Sequence, residues 1–505
     1  MLTGMETELK LRILNPGMAD KIISDEILRN LFLDQPVERE FETRHYDTSQ
    51  GTLMNAGLAF RVRREGENFT ACVKGKGFSL GGLHSRLEYS VPVKGFNPDI
   101  SVFAETPIFN VLQQAVGEEK LTNLFSIRFK RISAFLNVRG TIIELALDKG
   151  EIVAGNKREE ICELELELKS GSAGEIFKLG AALAEKYPLM METRSKFKRG
   201  LDLLDFEIRW KEEPPNFEIK AEVSMLEGFF NTLMHLFFRF VKTQEDFLLS
   251  PDSFKKELFL GNELERLKSF LLFADSLVES EDDSRALGYI NKLEVFLYPI
   301  LELQGLRNIW KKFANDSCRT KEMNAVDELL RKDYEYKKDL IYRKLAEGQA
   351  TPHILNFFGW LFDLYEKKGS EEKFSCVWGD YICKRADYIM RCTADLFSDI
   401  KTESLSWYLV EKLRCEIRSY FYSLEIVSKF LDKEKKKAVQ ILKMLYLNLD
   451  FMYYLKGISL FLQKHIQNNK EMPLWNMFHE WNKKKKHEAE RIVLSCLKKL
   501  NSFSF

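Results

Sequence analysis

The chain has 505 residues and carries 76 Lys plus Arg against 76 Asp plus Glu, so its formal charge is zero although charged residues make up 30% of it. That balance excludes a basic nucleic-acid surface or an acidic solvating tail as the main business of the chain, and a 45% hydrophobic content with 39 Phe and 12 Pro excludes disorder. No apolar run approaches the roughly 18 to 20 residues of a membrane span, and the start, MLTGMETELK, has neither a basic nor an apolar leader region. The eight cysteines include no CxxC pair and the seven histidines no HExxH spacing, which argues against a disulfide framework or a zinc site. The expectation is a cytoplasmic protein with reduced thiols, no membrane association and no nucleic-acid partner.

Up to Asp205 the sequence reads as short alternating strands separated by turn signals. Residues two apart in a strand share a face, so the segment from Glu6 to Ile13 puts Glu6, Glu8, Lys10 and Arg12 on one side and Thr7, Leu9, Leu11 and Ile13 on the other. The same device recurs along the chain. Arg61 and Arg63 project together, as do Lys74 and Lys76; His84, Arg86 and Glu88 form a mixed row; Glu144 and Asp148 are four apart. Glu163, Glu165, Glu167 and Lys169 line up opposite Cys162, Leu164, Leu166 and Leu168.

Any single row of this kind is readily explained by a solvated face, but like charges repeated this closely repel unless something compensates them. A closed or strongly curved sheet with its charged faces inward resolves the conflict. Acidic rows would then bind hard divalent cations through carboxylate oxygens, and basic rows would supply donors to phosphate oxygens.

Residues 206–223, containing Pro214 and Pro215, read as a linker, and residues 224–505 as helices. Ser224 followed by Glu227 has the form of a capping box. Leu226, Phe229, Phe230, Leu233, Phe237, Phe240 and Val241 then recur at helical spacing as a buried stripe. Similar periodicity appears at 264–279, 287–304, 324–347, 353–366, 377–397, 404–431, 436–467 and 474–500, without a fixed repeat, which favours a bundle over a solenoid. The first 205 residues hold 28 basic and 30 acidic groups, leaving 48 and 46 for the rest, so neither half is strongly charged.

The motifs of the first half occur in an order that resembles the CYTH superfamily, the triphosphate tunnel metalloenzymes. Glu6, Glu8 and Lys10 resemble its ExExK signature; His45 to Thr48 resembles YFDT, Gly57 to Arg63 resembles GxxLRxR, and Thr70 to Gly75 resembles TxKG. Arg86 with Glu88, Arg131, Glu144 to Gly150, Glu163 to Gly171 and Ser195 to Gly200 follow, so the resemblance covers residues 5 to 204. It implies an α+β chain: an eight-stranded antiparallel β tunnel, a closed barrel, over residues 1–205, followed by an all-α bundle. Bacterial proteins of this arrangement pair the tunnel with a CHAD domain and tend to be inorganic triphosphatases. The helical half resembles CHAD at Arg266 to Ser269, but has Leu258 and Gly261 where that family has His and Arg. Its near-neutral charge also lacks the basic excess of a polyphosphate-binding surface.

Carried over by that resemblance, Glu6, Glu8, Asp148, Glu163, Glu165 and Glu167 hold Mg²⁺ or Mn²⁺, with two of the three row glutamates in direct contact. Lys10, Arg61, Arg63, Lys74, Arg86, Arg131 and Lys196 cradle the substrate phosphates, and Lys10 and Glu8 sit at the reaction, Lys10 orienting or deprotonating the attacking water. The implied activity is metal-dependent hydrolysis of tripolyphosphate to pyrophosphate and phosphate. Thiamine or nucleoside triphosphate hydrolysis, a class IV-type adenylyl cyclase, and a non-catalytic polyphosphate sensor are the alternatives. Polyphosphate or a protein is the candidate partner of the helical half, and a chain lacking residues 216–505 is expected to keep some hydrolysis.

Overall fold

The computed structural model describes residues 8–80, 83–204, 220–251, 256–274, 280–368, 376–398, 405–465 and 472–500, with backbone alone at 76–80, 83–87, 256–258, 280–283, 368, 394 and 472. Glu6, most of the 206–223 linker and the side chain of Arg86 therefore lie outside the described residues. The chain forms two compact units. One comprises residues 1–216 together with 346–366, and the other residues 217–345 with 367–505. A helical segment that periodicity alone groups with the second half thus belongs to the unit that carries the charged strands.

The first unit is built on strands β1 (Glu8–Ile13), β2 (Val37–Asp47), β3 (Ala59–Glu65), β4 (Asn68–Leu80), β5 (Leu83–Val93), β6 (Thr122–Val138), β7 (Thr141–Ala154), β8 (Lys157–Ser170) and β9 (Leu189–Met191). All pairings are antiparallel, in the order β5-β4-β3-β2-β6-β7-β8-β1-β9. This corrects the expected closed barrel of eight strands to an open order of nine. Among the described residues, β1 pairs on one side with β9 through Leu11 to Ile13 and with β5 through Glu8 and Leu9, opposite His84 and Leu83. The sheet thus curls enough to bring its first strand, β5, back to β1.

Alternation sorts the two faces as the sequence requires. Leu9, Leu11, Leu145, Leu147, Leu164 and Leu166 are buried on the outer face, where the helix Ala173–Lys186 packs. That helix is in turn covered by residues of the helix Thr351–Lys368. Phe177 stacks between Phe358 at 5.1 Å and Phe362 at 5.2 Å, Lys178 bridges Glu175 and Asp363, and Glu366 accepts from the Ala173 amide at 3.2 Å. A side chain at Gly180 would fall 2.8 Å from Leu9 and 3.3 Å from Leu355, so strand, helix and second helix are in direct layered contact there. A separate core of Tyr46, Leu53, Phe60, Val62, Val73, Phe103 and Leu112 closes the outer face of β2 to β5.

The inner face changes character along the strands. Phe125, Ile127, Phe129, Ile152, Ala154 and Ile161 form an apolar core with Leu201 of the short helix Lys196–Leu203. The remainder is charged. Arg199, only 1% exposed, ties this helix to the sheet by donating to Glu159 and Glu163 at 2.8 Å each and to the Glu160 carbonyl at 2.6 Å.

In the second unit the Ser224 hydroxyl accepts from the Glu227 amide and starts the helix Met225–Leu249, as its capping sequence predicts. The stripe from Leu226 to Val241 is buried except for half-buried Phe230. The helices Lys256–Phe273, Ser280–Asp316, Trp407–Ile426 and Lys433–His465 pack as a bundle with Met472–Leu500 alongside. Its arginines are matched by carboxylates: Arg414 to Asp450 at 2.7 Å, Arg418 to Glu265 at 3.2 Å and Arg266 to Glu425 at 3.0 Å. The helix Met225–Leu249 approaches Trp378 so closely at Gly228 that a Cβ would lie 2.1 Å from the indole. Gly228→Ala should therefore cost about 1–3 kcal/mol through overpacking; a urea midpoint equal to that of the parent chain would contradict this close approach.

Candidate active site

The charged half of the inner face encloses a cavity of about 280 Å³, at the small end of the roughly 300–1,000 Å³ usual for small-molecule sites. Its lining includes the carboxylates of Glu8, Glu88, Glu144, Glu165 and Glu167 and the cations of Lys10, Arg61, Arg63, Lys74, Arg131 and Lys196. Every described side chain among the anticipated phosphate-binding residues is present. Asp148 and Glu163, anticipated as metal ligands, do not line it; they are buried at 0% and 1% exposure.

Strand register explains the sorting. Glu144 of β7, Glu167 of β8 and Glu8 of β1 are consecutive register partners across three neighbouring strands, forming an acidic row. Lys169 bridges Glu144 and Glu167 at 2.7 and 2.6 Å, and Lys10 meets Glu8 at 2.9 Å. Glu165 lies opposite Lys10, and Asp148, Glu163 and Arg12 form the next row.

Below the acidic row is a dense ionic cluster. Arg131 grips Asp148 through Nε and Nη2 at 2.7 Å each and also reaches Glu165. Lys196 contacts Asp148 at 2.7 Å, Glu165 at 2.9 Å and Glu163. Burial alone would lower the Lys10 ammonium, but the carboxylates of Glu165, Glu8 and Glu163 outweigh it and hold Lys10 above the ordinary lysine range. Burial likewise opposes the charge on Glu165, and Lys10, Lys196 and Arg131 overcome it, keeping that carboxyl well below its usual range. As an ammonium, Lys10 can donate to water or phosphate.

The opposite wall is basic. Glu88 on β5 is held between Arg61 at 3.1 Å and Lys74 at 2.7 Å. Arg63 has no ion pair among the described residues; its Nε donates to Thr43 Oγ1 at 3.3 Å and its guanidinium lies over the stacked rings of Phe41 and Phe129. Burial, with Arg61 and Arg131 nearby, pushes Arg63 down to about 9. A group so disfavoured as a cation gains strongly from an anion placed beside it.

Two carboxylate groupings have the oxygen-donor chemistry a hard divalent ion prefers. Asp148, Glu163 and Glu165 can bring ligand atoms within 4.8 Å of one another, yet Arg131, Lys196, Arg199 and Lys10 already compensate them. The row of Glu8, Glu167 and Glu144 faces the cavity, with Lys10 and Lys169 among the cations against it.

Sequence reasoning did not assign a site role to His45 or Arg199. His45 is 4% exposed, lines the cavity and stacks on Phe125 at 4.8 Å. Burial first, then Arg61, Arg63 and Lys74, holds its imidazole well below the usual histidine range, so it stays neutral. Its odd-numbered alternation with Thr43 along β2 was the available signal. For Arg199 the signal was its spacing three residues after Lys196 on one helix.

Residues 4–201 match the CYTH domain family. Among characterised proteins, the chain is 31% identical over 161 residues to an inorganic triphosphatase of Haemophilus influenzae (strain ATCC 51907 / DSM 11121 / KW20 / Rd). That match covers 31% of this chain and 44% of the relative, less than half of the latter's length. Among solved structures, a Hippeastrum protein, HpAC1, proposed as an adenylyl cyclase and described as having a dominant triphosphatase activity, is 20% identical. It covers 40% of this chain and 100% of its own, with a TM-score of 0.31. The CHAD domain of Ricinus communis is 11% identical, covering 55% of this chain and 93% of its own, with a TM-score of 0.45. Among the described residues no helix is long and apolar enough to cross a membrane.

Proposed function

We propose that the CYTH domain hydrolyses tripolyphosphate to pyrophosphate and phosphate with Mg²⁺ or Mn²⁺, and that the helical half is a diverged CHAD-like bundle. The observation that carries the reading is Arg63, a half-buried cation without a carboxylate partner among the described residues, in a small cavity whose other wall is the Glu8, Glu167 and Glu144 row. A linear polyanion bridging to a divalent cation satisfies both walls at once.

In this mechanism Arg61, Arg63 and Lys74 bind phosphate oxygens from one side, and Arg131 and Lys196 from the other. Glu8 and Glu167 hold the metal, with Glu165, Glu144 and Glu6 as further candidates; Asp148 and Glu163 fix the cations beneath. The bound metal supplies charge neutralisation of the phosphate chain and activation of water. Lys10, held protonated, donates to the water or to the phosphoryl oxygen and orients the attack. Among the described residues the lining is dominated by carboxylates and cations, which favours the inorganic substrate over ATP or thiamine triphosphate.

The test is phosphate release from tripolyphosphate, ATP and thiamine triphosphate with each metal. Tripolyphosphate is expected to turn over fastest. Glu8→Ala should raise the metal concentration for half-maximal rate by at least tenfold, and Arg63→Gln should lower kcat/KM by about 100-fold. Cyclic AMP from ATP with tripolyphosphate untouched would replace this reading by the cyclase alternative, and binding of tripolyphosphate without turnover by the sensor alternative.

A further inference from the structure

Resting on the reading of the cavity as a triphosphate hydrolase site, we propose that Glu88 is the cavity's own exchangeable counter-anion. It occupies the Arg61 and Lys74 subsite between turnovers and sets the charge a ligand must carry to remain there. Glu88 faces Lys74 in the β4–β5 register. Its Oε2 accepts from Lys74 at 2.7 Å, while its Oε1 accepts from Arg61 at 3.1 Å, the Cys72 thiol at 2.8 Å and Ser90 at 3.4 Å. Both oxygens thus make the contacts that phosphate oxygens make with a guanidinium and an ammonium.

Its setting differs from that of the permanent pairs below. The side chain of Glu88 is 27% exposed, against 0% for Asp148 and 7% for Glu165, so solvent screens its contacts and lets it leave them. Arg61 and Lys74 hold it ionised against the effect of burial, so it competes as a full negative charge. A ligand must outbid one carboxylate for two cations. Tripolyphosphate does so with several charges and with further contacts to Arg63; orthophosphate, with fewer charges and a shorter reach, does not. Glu88 therefore weakens the hold on products more than on substrate.

The experiment uses the full chain with Glu88→Gln, which keeps shape and removes charge. Orthophosphate, pyrophosphate and tripolyphosphate are titrated calorimetrically in EDTA, and product inhibition is measured in Mg²⁺. The variant should bind all three more tightly, by about tenfold for orthophosphate and pyrophosphate and less for tripolyphosphate, with correspondingly stronger product inhibition. Unchanged affinities overturn the proposal, as does weaker binding of all three, which would make Glu88 a brace for Arg61 and Lys74. Tighter anion binding absent in EDTA, with a raised metal requirement in Mg²⁺, would make it a metal ligand and also overturn it. If Glu88→Gln fails to fold, Glu88→Asp, too short to span both cations, should show the same ordering at smaller size. Should wild type bind but never hydrolyse tripolyphosphate, the hydrolase reading fails while the EDTA titrations still judge Glu88.

Discussion

A chain ending at Asn216 should be insoluble or molten, with tripolyphosphate hydrolysis lost. Such a chain lacks residues 346–366, which belong to the same compact unit as the sheet. Ile354, Leu355 and Phe358 are at most 1% exposed and Phe362 is 8% exposed; burial of each such side chain contributes about 1.5–3 kcal/mol. Losing them removes several kcal/mol, against a total stability of about 5–15 kcal/mol for a typical domain. The damage would also reach the cavity, because the helix left bare, Ala173–Lys186, backs Leu9 and Leu11 on the strand that presents Glu8 and Lys10. Soluble yield, dye binding and near-ultraviolet dichroism report the outcome, and rejoining residues 346–368 through a flexible linker should restore folding. A folded, active 1–216 chain would refute this account and return the boundary to the position suggested by composition.

Asp148→Ala should unfold the first unit about 3–5 kcal/mol more easily, because it strips the shared partner from two cations in a buried cluster. Asp148 is fully buried and receives three contacts of 2.7 Å, two from Arg131 and one from Lys196. Urea unfolding in EDTA is the relevant measurement. A loss below about 1 kcal/mol, combined with a raised metal requirement for catalysis, would instead make Asp148 a metal ligand. The contrast with Glu8→Ala is informative, since Glu8 faces the cavity and its loss should fall on metal binding more than on folding.

Much of this was legible because side-chain parity is a strict property of strands. Glu8 and Lys10 against Leu9 and Leu11, Arg61 and Arg63 against Phe60 and Val62, and the glutamates of β8 against Leu164 and Leu166 all fall as alternation demands. Parity says which face a residue joins but not which neighbours it meets across the sheet. Asp148 and Glu163 share parity with Glu144 and Glu167, and register places them together two levels lower, among Arg131, Lys196 and Arg199. The ninth strand was missed because Leu189–Met191 is three residues long, too short for periodicity. Helical periodicity likewise finds the apolar stripe of residues 353–366 but carries no information about which unit that stripe covers.

The ladders joining β6, β7 and β8 run over more than ten residue pairs each, so amide protons there should exchange with solvent among the last in the first unit. Arg131, Asp148, Glu163 and Glu165 are all carried by those ladders, so the ionic cluster beneath the cavity rests on the part of the sheet that opens least often. The floor of the site is thereby anchored in the slowest-exchanging backbone, which keeps its cations in place from one turnover to the next.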